Sequence, residues 1–157
     1  MKKSFFLFAL PIAMIIGVLV LGLHQRKFGQ GTVVLGDDVK VSVTVAASDT
    51  TRERGLSGRK MLAKNEGMLF LFDCSNRYAF WMKNMLFPLD ILWIQDGILV
   101  DMTTDVPVPT PGEQLPLFSP QLPVNRVLEV PAGFAKAHGL RTGLAVAFYL
   151  DNEKEIK

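Results

Sequence analysis

The sequence predicts an α+β domain, mainly antiparallel β, curled into a partly open, barrel-like sheet with two short helices and preceded by one N-terminal transmembrane helix. Three observations predict it. Residues 39–45 (VKVSVTV) alternate strictly between valine and polar side chains, the period-two pattern of a half-buried strand. Residues 67–72 (GMLFLF) form an apolar run too short for a lone helix and rich in aromatics, which reads as a strand buried on both faces. Residues 89–95 and 98–102 flank Asp96-Gly97, a dipeptide suited to a type I′ hairpin turn. The stretch 66–102 therefore supplies the central strands.

Composition sets the frame. The 157 residues carry a formal charge of +2, but Lys2, Lys3, Arg26 and Lys27 all precede the first acidic residue, Asp37. Removing these four from 17 basic residues leaves 13 against 15 acidic, a net of −2 for residues 28–157. Such a domain has no basic stripe for a phosphate backbone, so no nucleic-acid partner is expected. Residues 4–23 (SFFLFALPIAMIIGVLVLGL) carry no charge, and a helix of that length at about 1.5 Å per residue spans a hydrocarbon core of about 30 Å. The run exceeds the apolar region of a cleaved signal peptide, and no Ala-x-Ala follows it. Residues 1–27 are thus a membrane anchor or signal sequence, with an uncleaved single-pass anchor favoured. Residues 28–38 are a linker and first short strand, residues 39–150 one globular domain, and residues 151–157 a polar tail. The expected location is the plasma membrane, anchored in the lipid bilayer through residues 4–23, with the domain on the extracytoplasmic side.

Taken in order, residues 32–35 form a short strand that turns at Gly36-Asp37-Asp38 into the valine strand. Thr50 and Glu53 have capping-box spacing and start a short helix running to about Leu56, its length limited by Gly55 and Gly58. The apolar strand 67–72 is followed by a polar turn at 73–77, another strand at 78–83, and a loop at 84–88 shaped by Pro88. Cys74, the only cysteine, permits no intramolecular disulfide and reads as a small buried hydrophobe beside Asp73. Residues 106–124 hold six of the nine prolines and cannot form regular helix or a central strand. Leu115, Leu117, Phe118 and Leu122 favour packing of this loop over the sheet, with Phe118 as its anchor. Residues 126–130 return to strand. Pro131 starts a helix that Gly139 ends, with His138 at its carbonyl end, and residues 144–150 close the chain as a strand.

A two-residue turn at 96–97 pairs Gln95 with Ile98, Trp93 with Val100, Leu92 with Asp101 and Asp90 with Thr103. Ile91, Trp93, Ile98, Val100 and Met102 then share one face, and Asp90, Leu92, Ile94, Leu99, Asp101 and Thr103 the other. With strand 78–83 as the next neighbour, Lys83 falls opposite Asp90. Lys83, Asp90, Asp101 and Thr103 are expected to cluster, either as a cross-strand ion pair at a sheet end or as a polar site for a sugar, a hard cation or acid–base chemistry. There is no HExxH, no Gly-rich phosphate loop, no GxSxG and no grouping of His or Cys, so zinc, nucleotide and serine-hydrolase chemistries have no support in the sequence, no cofactor is expected and no metal ligands are assigned.

The segments RERGLSGRKML, EGMLFLF, FWMKNMLFPLDILWI, ILVDM and VLEVPAG, in this order and spacing, resemble the prokaryotic family called domain of unknown function 192. The resemblance spans roughly residues 39–150. It implies a small, mostly β domain, often behind a signal sequence or membrane anchor, and carries no established activity. Its motif positions fall on Arg54, Trp81, Lys83, Asn84, Asp90 and Glu129. The chain departs from the pattern at Met85, where Thr is common, and at Asp73-Cys74.

These observations favour a non-catalytic extracytoplasmic binding module. The ligand is a polar envelope molecule such as a glycan, held by Lys83, Asn84, Asp90, Asp101 and Thr103, with Arg54, Trp81 and Glu129 as further candidates. One alternative is a carboxylate enzyme, metal-assisted or not, using Asp90 and Asp101. Another is a structural or assembly partner of envelope proteins, recognised by an exposed apolar patch.

Overall fold

The computed structural model describes residues 29–151. The expected anchor at residues 4–23 and the tail beyond Asp151 lie outside them, and among the described residues no helix is long and apolar enough to cross a membrane. The elements are β1 (Gly29–Leu35), β2 (Val39–Ala46), α1 (Asp49–Arg54), β3 (Glu66–Asn76), β4 (Leu89–Gln95), β5 (Ile98–Val106), β6 (Val124–Pro131), α2 (Phe134–Ala137) and β7 (Val146–Leu150).

The seven strands form one sheet in the order β5-β4-β6-β3-β2-β1-β7. The sheet is mixed rather than wholly antiparallel. β2 and β3 run parallel, because α1 and the segment after it carry the chain back across the sheet before β3 begins. The sheet is also not closed. Its two edges approach through one bridge, Ile98 to Ala145, and the flanking bonds Gly143 N–H to Leu99 O (2.8 Å) and Val146 N–H to Gly97 O (2.7 Å).

All seven strands contribute to one apolar cluster, including Val33, Val43, Leu69, Leu92, Leu99, Leu128 and Val146, so the sheet curls around it. The central strands β3, β6 and β4 are apolar on their other face too. There Met68, Phe70, Val127, Ile91 and Trp93 form a second cluster, covered by loop residues Leu56, Met82, Met85 and Phe80. The continuous apolar run at 67–72 therefore signifies burial on both faces.

Several local expectations are corrected. α1 is capped by Ser48 rather than Thr50: the Ser48 hydroxyl accepts from Thr51 N–H, and the Thr51 hydroxyl accepts from Ser48 N–H at 3.0 Å. Thr51, three residues after Ser48, fills the capping-box position expected for Glu53. β3 continues through the expected turn to Asn76, and Cys74 in its polar end is exposed. Residues 78–83 are not a sheet strand, because both edges of β4 are already occupied, by β5 and β6. Their strand-like contact is the pair of 2.8 Å backbone bonds joining Phe80 and Phe118, which anchors the proline-rich loop as the sequence suggested. Pro131 ends β6, and Gly133 (φ 82°) precedes α2.

The hairpin register holds only next to its turn. Gln95 pairs with Ile98 and Ile94 with Leu99, but a bulge then pairs Trp93 with Asp101, Leu92 with Met102 and Ile91 with Thr103. The extra residue flips the side chains from Asp101 to Thr103. Asp101 and Thr103 move to the face of Trp93, where the Thr103 hydroxyl accepts from the indole N–H at 2.9 Å. Asp90 stays on the other face. A second irregularity places Asp105 at φ 55° and turns its amide inward. The fully buried Asp90 carboxylate accepts from Asp105 N–H (2.8 Å), Gly133 N–H (3.2 Å) and Ala135 N–H (2.8 Å).

Two consequences are measurable. Asp90→Ala strands these three amides and is expected to cost about 3 kcal/mol or more in urea unfolding, at about 1–3 kcal/mol for each buried donor left unsatisfied. A loss below about 1 kcal/mol would mean that water replaces the carboxylate. Gly67 sits where an added Cβ would lie 2.7 Å from the Glu129 carbonyl oxygen and 3.1 Å from Leu128 and Val41 side-chain atoms. Gly67→Ala should therefore cost about 1–3 kcal/mol by forcing β3 from β6, measured the same way.

Candidate functional site

Strand alternation places Glu129 on the outer face of the sheet. In β6, Leu128 and Val130 join the inner cluster and Val127 the outer one, so Glu129, two residues on from Val127, points outward between Met68 of β3 and Ile91 of β4. Only 5% of it is exposed. Among the described residues it makes no side-chain hydrogen bond and no ion pair. Burial pushes its carboxyl from 4.5 up to about 8, so it is a neutral acid at pH 7, able to donate one hydrogen bond and accept others.

Glu129 forms the floor of a cavity of about 230 Å³ whose walls come from α1, the loop after it, β3 and residues 78–85. The walls are largely aromatic: Phe70, Phe72, Tyr78, Phe80 and Trp81, with Met85 beside them. Phe80 stands edge-on to Phe70 (4.9 Å) and to Trp93 (5.4 Å), and Tyr78 stacks on Phe72 at 3.6 Å. Such packing holds the wall in one arrangement. Met85 is buried and forms an apolar part of the lining.

The rim is polar. Arg54, at the end of α1, also lines a more open depression of about 350 Å³ together with Thr50, Glu53, Ser57, Trp81, Lys83 and Asn84. Two bonds fix the two rim loops together: Ser57 Oγ donates to Lys83 O at 2.9 Å, and Gly58 N–H donates to Asn84 O at 3.0 Å. Gly55 lets α1 end here with φ 49° and ψ −136°, and an added Cβ would meet the Phe70 ring at 3.5 Å. Trp81 is 48% exposed, and the Lys83 ammonium lies 5.4 Å from the centre of its indole.

The expected site residues therefore divide into two groups. Arg54, Trp81, Lys83, Asn84 and Glu129 come together around the cavity and its rim. Asp90, Asp101 and Thr103 do not join them. The expected Lys83–Asp90 pair does not form, since Asp90 binds backbone amides instead. Asp101 accepts from Met102 N–H and Gln121 N–H, tying β5 to the proline-rich loop, and Thr103 serves Trp93. Asp90 and Asp101 thus lie on opposite faces of the sheet, and among the described residues no group of three or more His, Cys, Asp or Glu could hold a metal ion. The aromatic walls Phe72, Tyr78 and Phe80 escape a reading of the sequence, because a strand and a turn at these positions give them no common face.

The family model for domain of unknown function 192, described as an uncharacterized ACR, matches residues 32–148. The chain belongs to this family. A search of curated proteins returns no match. Among solved structures, a protein of Sinorhizobium meliloti 1021 provisionally described as a transcription regulator is similar to this member of domain of unknown function 192, at 29% identity and a TM-score of 0.71, covering 79% of this chain and 97% of that one. A protein of unknown function from Novosphingobium aromaticivorans DSM 12444 is similar at 25% identity and a TM-score of 0.66, over 74% of this chain and 83% of the other.

Glu129 makes a sharp prediction for this domain. The unfolded chain releases its proton near 4.5 and the folded chain near 8, so the folded state holds more protons in between. Its contribution to stability is fully present below the lower value and is lost as pH rises through the window, at about 1.4 kcal/mol for each pH unit crossed. The melting temperature of the wild type should fall by several degrees more than that of Glu129→Gln between pH 5 and pH 9. Parallel profiles for the two proteins would show that the carboxyl titrates at its ordinary value.

Proposed function

We propose that the domain is a non-catalytic binding module for a polar, ring-sized ligand such as one sugar unit of an envelope glycan. The observation that carries this reading is the aromatic cavity closing over a single uncharged carboxyl. Ligand sites are mostly apolar hollows with a few placed polar groups, and a volume of about 230 Å³ suits one ring rather than a drug-sized molecule. A sugar presents both apolar C–H faces, for Tyr78, Phe80 and Trp81, and hydroxyls, for Glu129 and the rim.

The proposed site uses Arg54, Trp81, Lys83, Asn84 and Glu129 and leaves Asp90, Asp101 and Thr103 to hold the sheet. An anchor at residues 4–23 in the plasma membrane would display the cavity to envelope material outside the cell. The regulator description attached to the Sinorhizobium meliloti protein finds no support in the charge of this chain, which is −2 over residues 28–157 (13 basic against 15 acidic).

Thermal shift of the full chain in a polyoxyethylene detergent, with N-acetylglucosamine, methyl glucoside and glucuronic acid as probes, tests the reading. A sugar at about a hundred times its Kd adds about 2.7 kcal/mol, so the midpoint should rise by several degrees. Trp81→Ala should abolish that rise while leaving the unliganded midpoint nearly unchanged, because Trp81 is half-exposed. No rise with any probe, or a rise that survives Trp81→Ala, would overturn the proposal.

A further inference from the structure

The aromatic cavity and the open depression beside it share four lining residues, Glu53, Arg54, Ser57 and Trp81, so they are two compartments of one hollow. Their chemistry differs. The inner compartment is mostly aromatic around the buried Glu129 carboxyl, with Arg52, Glu53 and Arg54 also in its lining. The outer one gathers the Arg54 guanidinium, the Lys83 ammonium, the Asn84 side chain and the Ser57 hydroxyl around Trp81, against a single carboxylate, Glu53.

Lys83 is exposed, and its position is defined by two contacts. Its ammonium lies 5.4 Å from the centre of the indole of Trp81, and its carbonyl is tied to the Ser57 hydroxyl at 2.9 Å. Among the described residues no carboxylate lies within ion-pair distance of it. The next residue, Asn84, sits at φ 58° with its carbonyl held by Gly58 N–H, so the cation and the amide project from a fixed turn. An exposed ammonium beside a cavity can form a charge-assisted hydrogen bond with an anionic group on whatever occupies that cavity.

We infer that the outer compartment is an oxyanion subsite, and that the ligand is an acidic ring: one sugar-sized ring in the aromatic cavity bearing a carboxylate or phosphate held at Lys83 and Arg54. This rests on the binding reading above and narrows its ligand class. Glu129 opposes it little, since burial keeps that carboxyl uncharged at neutral pH.

The test is titration of the full chain, in the same detergent, with methyl glucoside, glucuronic acid and glucose 6-phosphate, for wild type and Lys83→Gln. The expected result is that at least one acidic sugar binds about tenfold or more tightly than methyl glucoside, and that Lys83→Gln weakens the acidic sugar far more than methyl glucoside, so that this advantage is lost. Preference for glucuronic acid assigns the subsite to a carboxylate, and preference for glucose 6-phosphate to a phosphate. Raising salt from about 50 to about 500 mM should shrink the difference, because the rim is open to solvent. Equal affinities for the neutral and acidic sugars would overturn the oxyanion subsite and leave the sugar site standing. An acidic preference that survives Lys83→Gln would overturn it too. If none of the three sugars bound, both readings would fall together.

Discussion

The fold depends on one constraint: its three central strands, β3, β6 and β4, are apolar on both faces. One face is satisfied by curling the sheet around a shared interior to which all seven strands contribute. No strand remains for the other face, which holds Phe70, Ile91, Trp93 and Val127. It is closed instead by irregular chain, namely the end of α1, residues 55–59 and residues 77–88. Side chains in irregular loops pack less completely than facing strands do. The space left over Glu129 is where that covering is imperfect.

The second determinant is how backbone groups outside the ladders are satisfied. The Asp90 carboxylate collects three amides, from the β5 irregularity and from the turn into α2, and so fixes the end of the sheet. Thr103 performs the same service for the Trp93 indole, and Asp101 for the amide of Gln121. Three polar residues that look like site chemistry in the sequence are consumed in holding the scaffold. Glu129 is the contrast. It is buried in the middle of a central strand with no protein partner among the described residues, at a cost in stability.

The sequence announced the strands more clearly than their pairings. The valine alternation in β2, the two-sided run in β3 and the Asp96-Gly97 turn each have a local cause, and all three elements are present. The bulge at Val100 has none that can be read locally. No glycine or proline marks it, and its visible effect, the bond from the Trp93 N–H to Thr103, is a tertiary one. That one residue moved Asp101 and Thr103 across the sheet and dissolved the expected polar cluster. Likewise the parallel pairing of β2 with β3 and the Phe80–Phe118 bridge join segments whose separation hides their relation. Arg54, Trp81, Lys83, Asn84 and Glu129 converge from three distant segments. Only their shared membership of a family pattern placed them on the same short list, and nothing in their spacing did.

The double backbone bond between Phe80 and Phe118 has a kinetic implication. The outer covering is joined to the sheet by few ladder bonds, whereas the inner interior is enclosed by continuous ones. The covering can therefore open as a small cooperative unit, well below the free energy of global unfolding. In amide hydrogen exchange, Phe80 and Phe118 would lose their protons together, long before Leu69 or Leu128. Access to the space over Glu129 is then set by the breathing of one loop pair and is decoupled from the lifetime of the fold.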